Sequence, residues 1–263
     1  MNTVPSAIRH PASAVDGRNV VTVASGKGGV GKTWFSITLA HALAKAGRRV
    51  LLFDGDLGLA NVDIQLGLMP ERDLESVVSQ RMGLAEAVLR YDEGGFDIIA
   101  GRSGSGTLAA LPAGHLTGLR DSVFALAASY DTAILDLAAG VEPSVRILSA
   151  AAGTRLVVST DEPTSLTDAY AFIKLTTMRG NAANTRIVVN MAASDRDGRH
   201  TYATLSKACQ NFLNMTPALA GVIRRDTHVR EAIRNQSPIL TRFPNANASV
   251  DVEAIARAFK GPA

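Results

Sequence analysis

Short apolar runs alternate along this chain with longer segments whose apolar residues recur at helical spacing. The runs lie at 19–24, 49–53, 96–100, 132–135, 155–159, 186–190 and 219–223. Continuous apolar runs of this length fit strands buried on both faces of a parallel sheet. Between the first two, Ile37, Leu39, Ala40, Leu43 and Ala44 place an apolar stripe on segment 34–46, and Gly47 falls where a helix C-cap belongs. Further helices are predicted over 115–129, 164–178 (with Asp161 or Thr164 as N-cap), 202–213, 226–235 and 250–259. Residues 74–90 read as two short helices broken at Gly83. The alternation predicts an α/β fold: three layers, doubly wound, around a mostly parallel sheet of about seven strands. Neither a repeat nor a composition break divides the chain. Residues 1–18 are expected to be a flexible tail and 19–263 a single domain.

Composition narrows the class without naming it. The chain has 263 residues, 46% hydrophobic and 19% charged, enough to bury a substantial core and too apolar for disorder. A net charge of +3 is too small to argue for a nucleic-acid partner. The lone cysteine, Cys209, excludes a disulfide framework or an intrachain thiolate metal cluster and reads as a small buried hydrophobe. No apolar run approaches the ~20 residues of a membrane-spanning helix. The segment MNTVPSAIRHPASAVDGR lacks the apolar stretch of a secretory signal.

Candidate chemistry concentrates after the first apolar run. Gly26–Thr33 reads GKGGVGKT, which fits the phosphate-cradling pattern G-x-x-x-x-G-K-[ST] between a predicted strand and a predicted helix. Glycines let successive N–H groups converge on an anion, and the helix start adds unsatisfied N–H groups and a positive dipole end. The predicted nucleotide-contacting set is Gly28, Gly29, Val30, Gly31, Lys32, Thr33 and Trp34, with Lys32 on the outer phosphates and Thr33 on Mg²⁺. Asp54 and Asp56 follow the second strand, at the carboxyl edge where open α/β sheets bind ligands. There they can hold Mg²⁺ or orient an attacking water. TAILD ends at Asp136, an apolar run closed by an acid that holds Mg²⁺ directly or through water. Ala138–Gly140 form a small-residue turn able to move with the terminal phosphate. The GRSGSGT stretch has glycines but no lysine and reads as a surface loop.

The GKGGVGKT loop with its extra lysine, Lys27, resembles the MinD/ParA class of deviant-Walker P-loop ATPases, over roughly residues 19–260. The resemblance implies ATP and Mg²⁺ as ligands and an ATP-dependent homodimer in which Lys27 reaches the partner's nucleotide, adding charge where negative charge develops. It implies catalytic roles for Lys27, Lys32 and Asp56, a Mg²⁺ shell of Thr33, Asp54 and Asp136, and an adenine-edge contact from Asn190 at the end of IVVN. DLGLANVDIQLGL and DEPTSLTDAYAFIK are similar to the FlhG (FleN, YlxH) subgroup of flagellar-number regulators, implying flagellar-assembly or regulatory partners. Alternatives on the same fold are a DNA- or cargo-partitioning ATPase and a catalytically weak scaffold. The resemblance makes Asp136 the start of the second switch, and two departures stand out: Leu137 in that switch, and Arg224 where relatives carry proline.

Relatives often end in an amphipathic membrane helix. Here Val252, Ile255, Ala256 and Phe259 share one face, but Asp251 and Glu253 offset Arg257 and Lys260. A packed terminal helix is expected, with membrane association weak or absent, in a cytoplasmic protein at most peripheral to the inner membrane face. Arg224, Arg225, Arg230 and Arg234 form a basic cluster that reads as a solvated helix face, making nucleic acid an unlikely partner.

Overall fold

A computed structural model describes residues 17–104, 106–177 and 184–259. The proposed tail therefore lies almost wholly outside the described residues. The strands are β1 (Val20–Ser25), β2 (Val50–Gly55), β3 (Leu89–Tyr91), β4 (Phe96–Ile99), β5 (Thr132–Ala139), β6 (Thr154–Ser159), β7 (Asn184–Ala192) and β8 (Ala218–Arg224). The helices are α1 (Lys32–Lys45), α2 (Val62–Leu66), α3 (Leu74–Val78), α4 (Gly106–Ala109), α5 (Ala113–Ala127), α6 (Pro143–Ser149), α7 (Pro163–Thr177), α8 (Asp195–Leu213), α9 (Thr227–Arg234), α10 (Ile239–Arg242) and α11 (Asn247–Ala258). A single 3₁₀ turn covers Leu84–Ala87.

Among the described residues the sheet has eight strands, ordered β3-β4-β2-β5-β1-β6-β7-β8. All neighbours run parallel except β3 and β4. This is the expected doubly wound architecture with one strand more than the sequence shows. The reading of residues 74–90 as two short helices broken at Gly83 holds for α3 and the 3₁₀ turn, and the extra strand corrects only its end, from Leu89. LAEAVLRY is rich in helix formers (Leu, Ala, Glu, Arg), yet Leu89–Tyr91 pair with Phe96–Ile98 and Tyr91 packs edge-on against Phe96 at 5.3 Å. Tertiary pairing overrides weak local propensity there. Short α2, α4, α6 and α10 have no counterpart in the sequence reading. Helix α8 starts at Asp195 rather than 202, because its first turns are polar and show no apolar stripe, while Ser194 caps it by accepting from the Asp197 N–H.

Two apolar cores flank the sheet. On one face α1 and α11 bury Phe35, Leu39, Leu43, Val252 and Ile255. On the other, α5, α7 and α8 bury Phe124, Phe172, Leu205 and Cys209. Each large side chain so buried contributes about 1.5–3 kcal/mol. Cys209 behaves as expected of a buried hydrophobe, and burial pushes its thiol up to about 11.

Strand β5 also runs further than the sequence suggests. It was expected to end at Asp136, leaving Leu137 in a moving loop. Instead Leu137 lies inside β5 and is fully buried in the second core. The bulky residue is therefore a core residue, and the turn beyond it begins at Gly140, whose N–H donates to the Ser25 carbonyl at 2.8 Å.

Candidate nucleotide and metal site

Parallel pairing brings three strand ends together. β5 lies between β1 and β2, with Val23 and Asp54 both in register with Asp136. The loop from Gly26 to Gly31 leaves β1 at this edge and enters α1. Gly29 and Gly31 adopt positive φ, 80° and 86°, which a side chain would strain. Gly31 has a second reason to lack a Cβ: the atom would lie 2.4 Å from the Asn190 amide nitrogen. A Cβ added at Gly28 or Gly29 would meet nothing within 4 Å, so the rim of the loop is open there.

At the base of the loop the chemistry is tightly coupled. Thr33 Oγ1 donates to Asp136 Oδ2 at 2.6 Å, and Ser36 Oγ donates to Asp136 Oδ1 at 2.9 Å. Lys32 is almost buried, and its ammonium favours the ionised form of Asp136. Burial outweighs that attraction and pushes the Asp136 carboxyl up. Burial, then the neighbouring Asp136, raise Asp54 to about 7 against the pull of three backbone N–H groups.

Asp54 is placed beside Asp136 but its oxygens shape the next loop. Oδ1 accepts from the Asp56 N–H at 3.2 Å, and Oδ2 from the N–H groups of Asn61 and Val62 at 3.0 Å each. It thereby folds the loop carrying Asp56, whose own Oδ1 accepts from the Leu59 N–H at 3.0 Å.

Hard oxygen donors suit Mg²⁺, and Thr33 with Asp136 supplies two of them within hydrogen-bond distance. Two buried acids pushed toward protonation are the groups a dication would ionise. The residues present therefore fit the metal.

Four sequence-predicted residues sit differently from the rest. Trp34 has its side chain in the core, so it can offer an anion only its backbone N–H. Val30 is likewise buried and contributes backbone. Asn190 is buried, donates Nδ2–H to the Val30 carbonyl at 2.8 Å and accepts the Met191 N–H at 2.9 Å; it clamps the loop. Lys27 lies at the exposed rim, where its ammonium donates to Glu162 Oε2 at 2.6 Å and Thr164 Oγ1 at 3.0 Å. That ammonium holds the Glu162 carboxyl below its ordinary range. Sequence reasoning missed Ser36, although it lies three residues after Thr33 on the same helical face. It also missed Glu162 and Thr164, whose pairing with Lys27 spans more than half the chain.

A phosphate cradle, a lysine and a hydroxyl–carboxylate pair at the carboxyl edge of a parallel sheet define a P-loop nucleotide-binding domain. Residues 21–239 match the CobQ/CobB/MinD/ParA nucleotide binding domain, and the chain belongs to that family. It is 42% identical over 238 residues to the antiactivator FleN of Pseudomonas aeruginosa, covering 90% of this chain and 85% of FleN. It is 28% identical over 253 residues to the flagellum site-determining protein YlxH of Helicobacter pylori, covering 95% and 85%. The cell division ATPase MinD of Pyrococcus furiosus shares the fold, with a TM-score of 0.78 at 22% identity over 91% of this chain and 97% of that one.

The remaining surface expectations resolve through packing. The apolar face of α11 is buried against α1 and β8, with Val252, Ile255, Ala256 and Phe259 all in the core. No helix among the described residues is long and apolar enough to cross a membrane. Arg224 leaves the basic cluster: it grips Asp251 through Nη2 at 2.8 Å and Nε at 2.9 Å, tying β8 to α11. Arg225, Arg230 and Arg234 stay exposed.

Proposed function

We propose that this chain is a Mg²⁺-dependent ATPase switch that dimerises when ATP is bound and regulates the number or placement of flagella. The observation that carries the ATPase reading is the Thr33–Asp136–Ser36 cluster beside Lys32 at the root of an open phosphate loop. Similarity to FleN and YlxH supports the flagellar role. Flagellar-assembly or regulatory proteins are the corresponding partners, met in the cytoplasm. Burial of the α11 apolar face favours weak or absent membrane association, and the loss of Arg224 to Asp251 weighs against a DNA-partitioning role.

Loop N–H groups from Gly28 to Thr33 would bind the phosphates, and Lys32 would balance the charge on the outer ones. Thr33 and Asp136 would hold Mg²⁺, which when bound neutralises charge on the phosphate oxygens. Asp54 supports that shell by folding the Asp56 loop. Asp56 would orient a water whose oxygen attacks the terminal phosphorus as the bond to ADP breaks. Lys27, exposed at the rim, is free to leave Glu162 for the nucleotide of a second copy. Asn190 keeps the loop in shape for adenine and phosphates alike.

Calorimetric titration with Mg·ATP tests this reading. The wild-type chain should bind saturably and hydrolyse ATP slowly, and Lys32→Ala should abolish both. Binding that persists in Lys32→Ala with unchanged turnover contradicts the assignment.

A further inference from the structure

A second cleft shares no lining residue with the phosphate loop. It lies between α5, α6 and α7 over the start of β6, encloses about 430 Å³ and is lined by Arg120, Arg146 and Arg155. Its other walls include Pro143, Ile147 and Leu175. That volume falls in the range of small-molecule sites, about 300–1,000 Å³.

Three guanidiniums on one cleft repel one another unless anions offset them. Among the described residues the acid paired with a lining arginine is Asp121, on Arg120 at 2.6 Å. Arg155 is 1% exposed, with Thr185 Oγ1 and the Ser149 carbonyl among the groups it donates to, both at 3.3 Å, so the open side of the cleft presents Arg120 and Arg146. Arg146 forms no ion pair among the described residues, and its Nε–H is buried without an acceptor. A guanidinium without a carboxylate partner keeps donors to spare for an acceptor from outside. Planar guanidinium forks match the oxygens of carboxylate and phosphate, and of the two phosphate has the oxygens and the charge to engage more than one arginine. The apolar walls suit a ring beside it.

We propose that this cleft binds an organic phosphate of about nucleotide size, at a site separate from the phosphate loop. Helix α6, which carries Arg146, follows β5 after three residues that begin with Gly140, so the ligand sits against the element that leaves the second switch.

Calorimetry on the full chain, with saturating Mg·ADP to fill the phosphate loop, tests the proposal. The probes are guanosine monophosphate, phenyl phosphate and phosphate-free guanosine. Saturable binding of at least one of the two phosphates is expected, with none for guanosine. Arg120→Gln and Arg146→Gln should each weaken it about tenfold or more, as expected for losing one charge-assisted contact. Both side chains are partly exposed, so these variants should keep the wild-type melting profile. Absence of saturable binding by either phosphate, equal binding of guanosine, or affinities unchanged in both variants would overturn the proposal.

Discussion

Ser36 gives Asp136 its second hydroxyl partner, and it does so from a position fully removed from solvent. Deleting that donor leaves one Asp136 oxygen short of a bond in a low-dielectric site, which costs about 1–3 kcal/mol. Ser36→Ala should therefore lower the denaturation midpoint by a corresponding amount and weaken Mg·ATP binding in the same titration. A variant with wild-type stability and affinity would show that Thr33 alone suffices. At this scale the sequence was legible where a motif fixes spacing. Lys32, Thr33 and Asp136 meet as GKGGVGKT and TAILD predict. It was not legible where a contact depends on distant segments folding together, as with Lys27 and Glu162. Nor does a motif say which atoms of a residue are spent: Asp54 turned out to hold backbone N–H groups and Asn190 to hold the loop.

Secondary elements were readable from periodicity wherever an apolar face is long, and unreadable where pairing or polarity intervenes. The seven predicted runs all became strands, while β3 exists only because β4 is beside it. Leu137 looked like a loop residue because it follows Asp136, the acid that closes TAILD, but β5 continues two residues past it with its side chain in the core. Terminal helix α11 is the clearest case of an element defined by its packing. Its apolar stripe alone fits either a membrane or a core, and the Arg224–Asp251 fork locks it to β8. Asp251→Ala removes a charge-assisted bidentate contact and should destabilise the chain by roughly 1–3 kcal/mol, given the partial exposure of the arginine. Hydrogen exchange should then quicken first in residues 247–258. Unchanged exchange there would mean that apolar burial alone holds the helix.

Across the whole molecule, α1 connects the phosphate loop to the α11 face, and His41 is buried on it, within the field of Lys45 and of Glu253 on α11. Burial, then Lys45, lower its pKa from 6.5 to about 4, so it stays neutral in the fold. The unfolded chain takes up a proton below pH 6.5 while the folded one does not. Stability from this group is therefore intact above pH 6.5, falls as pH drops, and levels off below about 4. His41→Gln should flatten the melting-temperature profile across that window relative to wild type; parallel profiles would place the proton uptake elsewhere.

Dimerisation lies at the same scale and is the central claim. Lys27 is held at the surface by Glu162 and Thr164 of its own chain, whereas the proposed switch needs it on a second copy's nucleotide. Sedimentation velocity of the Asp56→Ala chain, alone and carrying Lys27→Ala as well, tests this most directly. The account predicts a monomer without nucleotide, a dimer of Asp56→Ala with Mg·ATP, and a monomer that still binds ATP when Lys27 is also replaced. A dimer that forms without ATP, or that survives the loss of Lys27, would contradict it.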